Sequence, residues 1–261
     1  MRRSPVMTMM IRAAEKAGRA VLRDFGEVEQ LQASMKGPRD FVTVADEKAE
    51  RIVREELQKA RPRFGLLMEE SGEIPGSDTS HRFIVDPIDG TLNFMHGQPF
   101  FAVSIALEES REIVSGVIYN PVTDELFWAE RNNGAFLHDR RLRVSKRTSL
   151  GDSVIGTSSF VPTAHDFDVW AKTTERLGRV ASVRIQGAAA LCLAYVAAGR
   201  MEGYVEAGLK PWDVAAGAII LQEAGGHITD FEGGRNWLKT GHVVAASSEL
   251  HAPLLKAVNG G

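Results

Sequence analysis

The chain has 261 residues, 44% hydrophobic and 25% charged, with 31 Lys and Arg against 34 Asp and Glu, a formal net charge of −3. This suits one large soluble domain or two tightly joined halves and argues against a dedicated nucleic-acid binder. The single Cys192 excludes an intrachain disulfide and fits a reducing cytoplasm, and no stretch is long and uncharged enough to span a bilayer.

From the N-terminus, Met10, Ala13, Ala14, Ala17 and Val21 recur at helical spacing with Arg12, Glu15, Lys16 and Arg19 between them. The pattern predicts a mature amphipathic helix rather than a secretory leader, with an organellar presequence as the alternative. A second helix is predicted from near Thr43 towards Ala60, with Ala49, Ile52, Val53 and Leu57 on one face. Thr43-Val44-Ala45-Asp46 has the form of a capping signature, so Asp46 could serve simply to close that helix start. The apolar run Phe64-Gly65-Leu66-Leu67 ends in Met68-Glu69-Glu70-Ser71, and the Gly, Ser, Pro and Asp residues from Glu73 to His81 predict a mobile loop.

Phe83-Ile84-Val85 then reads as a buried strand. Between Phe100 and Val144 alternation of Phe101, Val103, Ile105 and Leu107, with the hairpin signal Asn133-Gly134, predicts an antiparallel meander. Arg140, Arg141, Arg143, Lys146 and Arg147 form a basic cluster read as a solvated hairpin face. After Ser149 strands alternate with helices at Asp166 to Leu177, Ala188 to Ala198 and Trp212 to Ala224, with Gly178 and Gly225-Gly226 as stops. Two α/β halves, about 1–145 and 146–261, should therefore meet with the site between them. His96, His138, His165 and His227 are dispersed without metal-ligand spacing and read as structural or surface groups.

Chemistry concentrates in Asp86-Pro87-Ile88-Asp89-Gly90-Thr91-Leu92-Asn93. Pro87 pushes Asp86 out of the α region, Asp89-Gly90 makes a turn, and Thr91 to Phe94 can start a helix whose first amides lack intrahelical acceptors. Two carboxylates beside such amides suit a metal-dependent phosphate site; a surface turn with an Asp cap is the bland alternative. Asp213, just inside a helix opened by Pro211, equally suits a dipole-offsetting role.

Taken in order, Met68-Glu69-Glu70-Ser71, Asp86 to Asn93 and Trp212-Asp213-Val214-Ala215-Ala216-Gly217 resemble the inositol monophosphatase family of magnesium-dependent, lithium-sensitive phosphatases. Weaker matches are Asp40 to Asp46 and Gly187 to Glu206, so the resemblance covers nearly the whole chain. Ala194 to Arg200 and Gly208 to Asp213 resemble the bacterial branch. The resemblance implies an α/β (α+β) layered αβαβα sandwich, as a cytoplasmic homodimer. It also implies two or three Mg²⁺ ions, with Mn²⁺ as a substitute: Glu69, Asp86 and the Ile88 carbonyl on one, Asp86, Asp89 and Asp213 on a second, and a weaker third near Glu69. Asp46 and Thr91 would activate the attacking water, with Glu69 completing the catalytic set. Asp89, Gly90, Thr91, Gly187, Ala188, Ala189, Glu206 and Asp213 would contact the substrate, Glu206 through polyol hydroxyls, and Lys36 matches a lysine near the metals. The reaction implied is hydrolysis of a myo-inositol monophosphate. Histidinol phosphate, fructose bisphosphate or 3′-phosphoadenosine nucleotides are the alternatives within the fold, and a binding role toward RNA or transcription factors is the alternative outside catalysis.

Overall fold

The protein's structure, a computed structural model, describes residues 3–25, 33–37, 40–157, 164–179 and 181–261. The first helix, α1 (Pro5–Phe25), buries the apolar stripe expected of it, including Met10, Ala13, Ala14, Ala17 and Val21. A short hairpin, β1 (Ala33–Gly37) and β2 (Asp40–Thr43), leads into α2 (Val44–Ala60), which Thr43 caps as its signature predicted. Both helices pack on one face of an eight-stranded sheet. That sheet comprises β3 (Phe64–Met68), β4 (Gly72–Ile74), β5 (Asp78–Asp89), β6 (Ala102–Glu109), β7 (Glu112–Asn120), β8 (Glu125–Glu130), β9 (Gly134–Leu137) and β10 (Arg140–Arg141), with the short helix α3 (Thr91–Met95) following β5. Its order is β10-β9-β8-β7-β6-β5-β3-β4, antiparallel throughout except for β3 beside β5, so the expected meander forms β6 to β10.

The segment from Glu73 to His81 is not the predicted loop. Glu73 and Ile74 belong to β4, and β5 begins at Asp78 and runs for 12 residues, well beyond the expected Phe83–Val85. Backbone pairing outweighs the turn-forming composition, because the chain folds back over β3. The Asp78 amide bonds the Arg63 carbonyl at 2.8 Å, and a Cβ on Gly76 would fall 2.4 Å from the Gly65 amide nitrogen. Only glycine permits that approach.

A second, five-stranded sheet has the order β12 (Ser182–Ile185), β11 (Val154–Thr157), β13 (Gly203–Glu206), β15 (Val243–Ser247), β14 (Gly226–Thr229). Two helices, α5 (Ala189–Ala197) and α6 (Pro211–Glu223), lie between the sheets and are apolar nearly all round, as a helix covered on both sides requires. Their Leu191, Leu193, Ile219 and Ile220 join Ile118 and Phe127 of the first sheet and Tyr204 and Ala245 of the second in one core. On the far side of the second sheet lie α4 (Ala164–Gly178) and α8 (Ser248–Val258), while α7 (Trp237–Thr240) is a single turn before β15. The result is the αβαβα sandwich expected from the resemblance. Cys192 is fully buried. The cluster Arg140, Arg141, Arg143, Lys146 and Arg147 is exposed, Arg147 pairing with Glu202 at 3.2 Å. No helix among the described residues is long and apolar enough to cross a membrane.

Candidate active site

Strand register assembles the acids. Parallel pairing of β3 with β5 aligns Met68 with Val85, and the Glu69 amide donates to the Val85 carbonyl at 3.2 Å, so Glu69 leaves its strand beside Asp86. The β5–β6 register slips between Asp86 and Asp89, at the point where Pro87 has no amide to offer. Within this bulge the Asp86 carboxylate accepts the Ile88 amide at 3.0 Å. Both aspartates are buried, at 2% and 6% exposure.

Helix ends bring in the second half. Asp89 reaches across to α5 and accepts the amides of Ala189 at 3.0 Å and Ala190 at 2.8 Å, supplying an N-terminal carboxylate to a helix whose own cap, Ala188, has no side-chain acceptor. Pro211 opens α6 as expected, and Asp213 accepts the Lys210 amide at 2.7 Å. Helix α6 is tied to β6 by the Ser104 hydroxyl, which donates to the Trp212 carbonyl at 3.3 Å. The capping roles read for such acids are real, and they coexist with membership of one cluster.

That cluster is electrostatically costly. The Asp86 carboxyl is held well above the usual carboxylate range, first by burial and then by the charges of Glu69, Asp89 and Asp213; it also shares a hydrogen bond with Glu69. Asp89 is raised by burial and by Asp213, against the opposing pull of the Ala190, Ala189 and Leu191 amides. Among the described residues no Lys or Arg pairs with Asp86 or Asp89. Nor, among the described residues, do three His, Cys, Asp or Glu side chains already close into a shell for a metal ion; Asp89 and Asp213 lend oxygens to amides instead. The donor chemistry nevertheless fits a hard divalent cation, for it is all carboxylate and carbonyl oxygen, and a cation would relieve the repulsion that raises Asp86.

Thr91 joins the cluster to Asp46. Its hydroxyl lies 3.1 Å from both Asp46 Oδ1 and the Ile88 carbonyl. Asp46, fully buried, uses Oδ2 for the Thr43 amide at 2.8 Å and the Thr43 hydroxyl at 2.5 Å. The cap reading of Asp46 is borne out through Oδ2, and Oδ1 meets Thr91, the partner that the resemblance implied for it.

Gly90 has φ 95°, and a Cβ there would lie 3.1 Å from the Ala188 side chain and the Phe100 carbonyl. This places Gly187 and Ala188 against the Asp89-Gly90 turn. Asn93 fastens that contact by donating to the Phe100 carbonyl at 2.8 Å and the Gln186 carbonyl at 2.7 Å. Gly90→Ala should therefore destabilise the fold by about 1–3 kcal/mol, the range for a side chain forced into a disfavoured backbone region, and lower activity with it. A wild-type denaturation midpoint would show that the turn relaxes freely.

Glu206 ends β13, buried at 5% exposure, and accepts a short hydrogen bond from the Tyr204 hydroxyl. The Cys192 thiol is raised by burial first, and then by the Glu206 and Asp89 charges, so both acids act near one point of α5. The side chain of Lys36 lies outside the described residues. Two supporting residues were given no role from the sequence: Asn93, named only as the end of its motif, and Glu50. The signal for Glu50 was available: it is an acid one turn after Asp46, beside the apolar stripe of α2.

The chain matches the inositol monophosphatase family over residues 2–260. It is 53% identical to an inositol-1-monophosphatase of Mesorhizobium japonicum, covering 99% of this chain and 97% of that one. It is 38% identical to the Nus factor SuhB of Escherichia coli K12, with 96% and 94% covered. The crystal structure of the extragenic suppressor protein suhB from Bartonella henselae superposes with a TM-score of 0.95 at 52% identity, covering 99% of this chain and all of that one.

Proposed function

The chain belongs to the inositol monophosphatase family, a family of phosphatases, and from that premise we propose that it hydrolyses a myo-inositol monophosphate to myo-inositol and phosphate with Mg²⁺. The observation that carries the proposal is Asp86, set among Glu69, Asp89 and Asp213 with its carboxyl raised first by burial and then by their charges. Glu69, Asp86 and the Ile88 carbonyl would hold one ion; Asp86, Asp89 and Asp213 would hold a second, and Mn²⁺ would substitute. When bound, the metal supplies Lewis-acid stabilisation of the phosphoryl oxygens and lowers the pKa of a bound water.

The chain's own groups do the rest. The Thr91 hydroxyl, which donates to Asp46 Oδ1 and lies equally near the Ile88 carbonyl, would take a proton from the attacking water as it passes its own to the Asp46 carboxylate. The Gly90 and Thr91 amides, at the start of α3, have no partner within the helix and suit phosphate oxygens. Gly187 and Ala188, held against Gly90, and the next residue, Ala189, are small where a polyol would come close.

Phosphate release from a panel of small monoesters, with and without Mg²⁺, tests this reading. Inositol phosphates should lead, and activity should vanish with chelator. The substrate assignment rests on Glu206. Glu206→Gln should raise KM or lower kcat for inositol phosphates several-fold, because an amide offers fewer acceptor sites than a carboxylate. An aryl phosphate, lacking the hydroxyls, should change much less. Equal losses on both would make Glu206 a support of the fold through Tyr204 and remove the inositol assignment. A non-catalytic binding role toward RNA or transcription factors is the second reading, since a relative at 38% identity is named a Nus factor; the complete acidic set favours catalysis, and turnover by the isolated protein separates the two.

A further inference from the structure

Helix α2 carries two buried carboxylates one turn apart, Asp46 and Glu50, exposed at 0% and 4%. Spacing of four residues puts both on one face. Asp46 holds Thr91. Glu50 holds a different segment: Oε2 accepts the Glu70 amide at 2.8 Å, and Oε1 accepts a short hydrogen bond from the Ser71 hydroxyl. Among the described residues no Lys or Arg pairs with Glu50. A carboxylate so buried is costly unless its oxygens find donors, and here the donors are the turn between β3 and β4.

We infer that Glu50 is a positioning residue that sets the Glu69 turn for cation binding, an inference that rests on the magnesium reading above. Glu69 is held from both sides. Its own amide is fixed to the Val85 carbonyl through the sheet, and the next amide is fixed to Glu50 through the helix. Because Asp46 and Glu50 belong to one rigid helix, α2 acts as a bar that sets Glu69 on one segment against Thr91 on another. Removing the Glu50 clamp leaves the Glu69 carboxylate in place covalently but frees its backbone, so ordering it falls to the ion. Outer partners of metal ligands act in this way, and their loss typically weakens metal binding about 10–100-fold.

The test compares Glu50→Ala, Glu50→Gln and a control, Glu202→Ala. Glu202 is likewise buried and bound to an amide and an arginine, Val154 at 2.8 Å and Arg147 at 3.2 Å, but just before β13 of the second sheet. Folding of each is checked by circular dichroism and melting temperature in chelator. E50A should weaken Mg²⁺ binding about tenfold or more by calorimetric titration, with turnover restored as Mg²⁺ is raised, and should speed amide exchange in the peptide spanning Glu69 to Ser71. E50Q should stay near wild type, because its amide oxygen accepts the Glu70 amide while its NH₂ donates to the Ser71 hydroxyl. E202A should lower the melting temperature and change neither Mg²⁺ affinity nor exchange at the turn. Unchanged Mg²⁺ affinity in folded E50A would overturn the inference, as would E50Q matching E50A. If the wild-type protein binds no Mg²⁺, the magnesium reading fails by itself, and unchanged exchange at the turn in E50A would then rule out positioning.

Discussion

Asp86→Asn should reduce Mg²⁺-dependent phosphate release by at least about a hundredfold, the scale of losing one charge-stabilising group in a transition state, while leaving the protein folded. The variant keeps the shape of the site. An Asn side chain can still present its oxygen to the Ile88 amide, now 3.0 Å from Asp86, and its NH₂ can face Glu69. What it lacks is the charge that two ions would share. The same deletion should not weaken the metal-free protein, because Asp86 is raised by burial and by three neighbouring acids and therefore opposes folding when ionised.

The pH dependence follows with a definite sign. Folded Asp86 and Asp89 keep their protons to higher pH than the unfolded chain, whose aspartates titrate near about 3.9. In the window above that value the native state binds more protons than the unfolded state, so stability in chelator falls as pH rises. Asp86→Asn should flatten that fall, the two proteins converging at acid pH, and Mg²⁺ should stabilise the wild type most at the alkaline end. Melting temperatures across pH, with chelator and with Mg²⁺, read all three. A variant that keeps most of its activity, or loses its fold, would sink the shared-ligand role.

How much of this was legible beforehand depended on whether the cause was local. Helix α2 and its Thr43 cap, the Pro211 start of α6 and the meander after Phe100 rest on periodicity and capping within a dozen residues, and they form as read. Gly, Ser and Pro from Glu73 to His81 pointed to a loop, but the pairing of β5 with β3 is a contact between segments, and composition is blind to it. The acids were visible by motif. Their partners were not: that Asp89 caps α5 from a hundred residues away, or that Asn93 bonds Gln186, requires the two sheets to be stacked first. Asp46 shows the same limit in another form. Sequence posed cap and catalyst as rivals, whereas a carboxylate has two oxygens, and the fold turns one to the Thr43 cap and the other to Thr91.

That division makes Asp46→Asn informative, because an amide cannot serve both sides as a carboxylate does. The Thr43 amide is a donor with no second choice, so the Asn oxygen must take the place of Oδ2, which Thr43 approaches at 2.8 Å and 2.5 Å. The NH₂ then occupies the place of Oδ1 and donates to Thr91 Oγ1, which must turn its own proton to the Ile88 carbonyl, 3.1 Å away. The helix cap survives while the hydrogen bond to Thr91 is reversed. With the reversal the hydroxyl could not pass a proton to Asp46, and it would compete for the Ile88 carbonyl proposed as a metal ligand. Turnover should fall about 10²–10⁴-fold, the usual scale for losing a positioned base, with a stability cost below about 1 kcal/mol, the typical value of a whole cap. Thr91→Ser should keep activity, Thr91→Val should lose it, and the Asp46→Asn, Thr91→Val double variant should be no worse than either, since residues acting as a unit are not additive. Near-normal turnover together with a large drop in melting temperature would leave Asp46 with the cap alone. Additive losses in the double variant would place Thr91 and Asp46 on separate tasks.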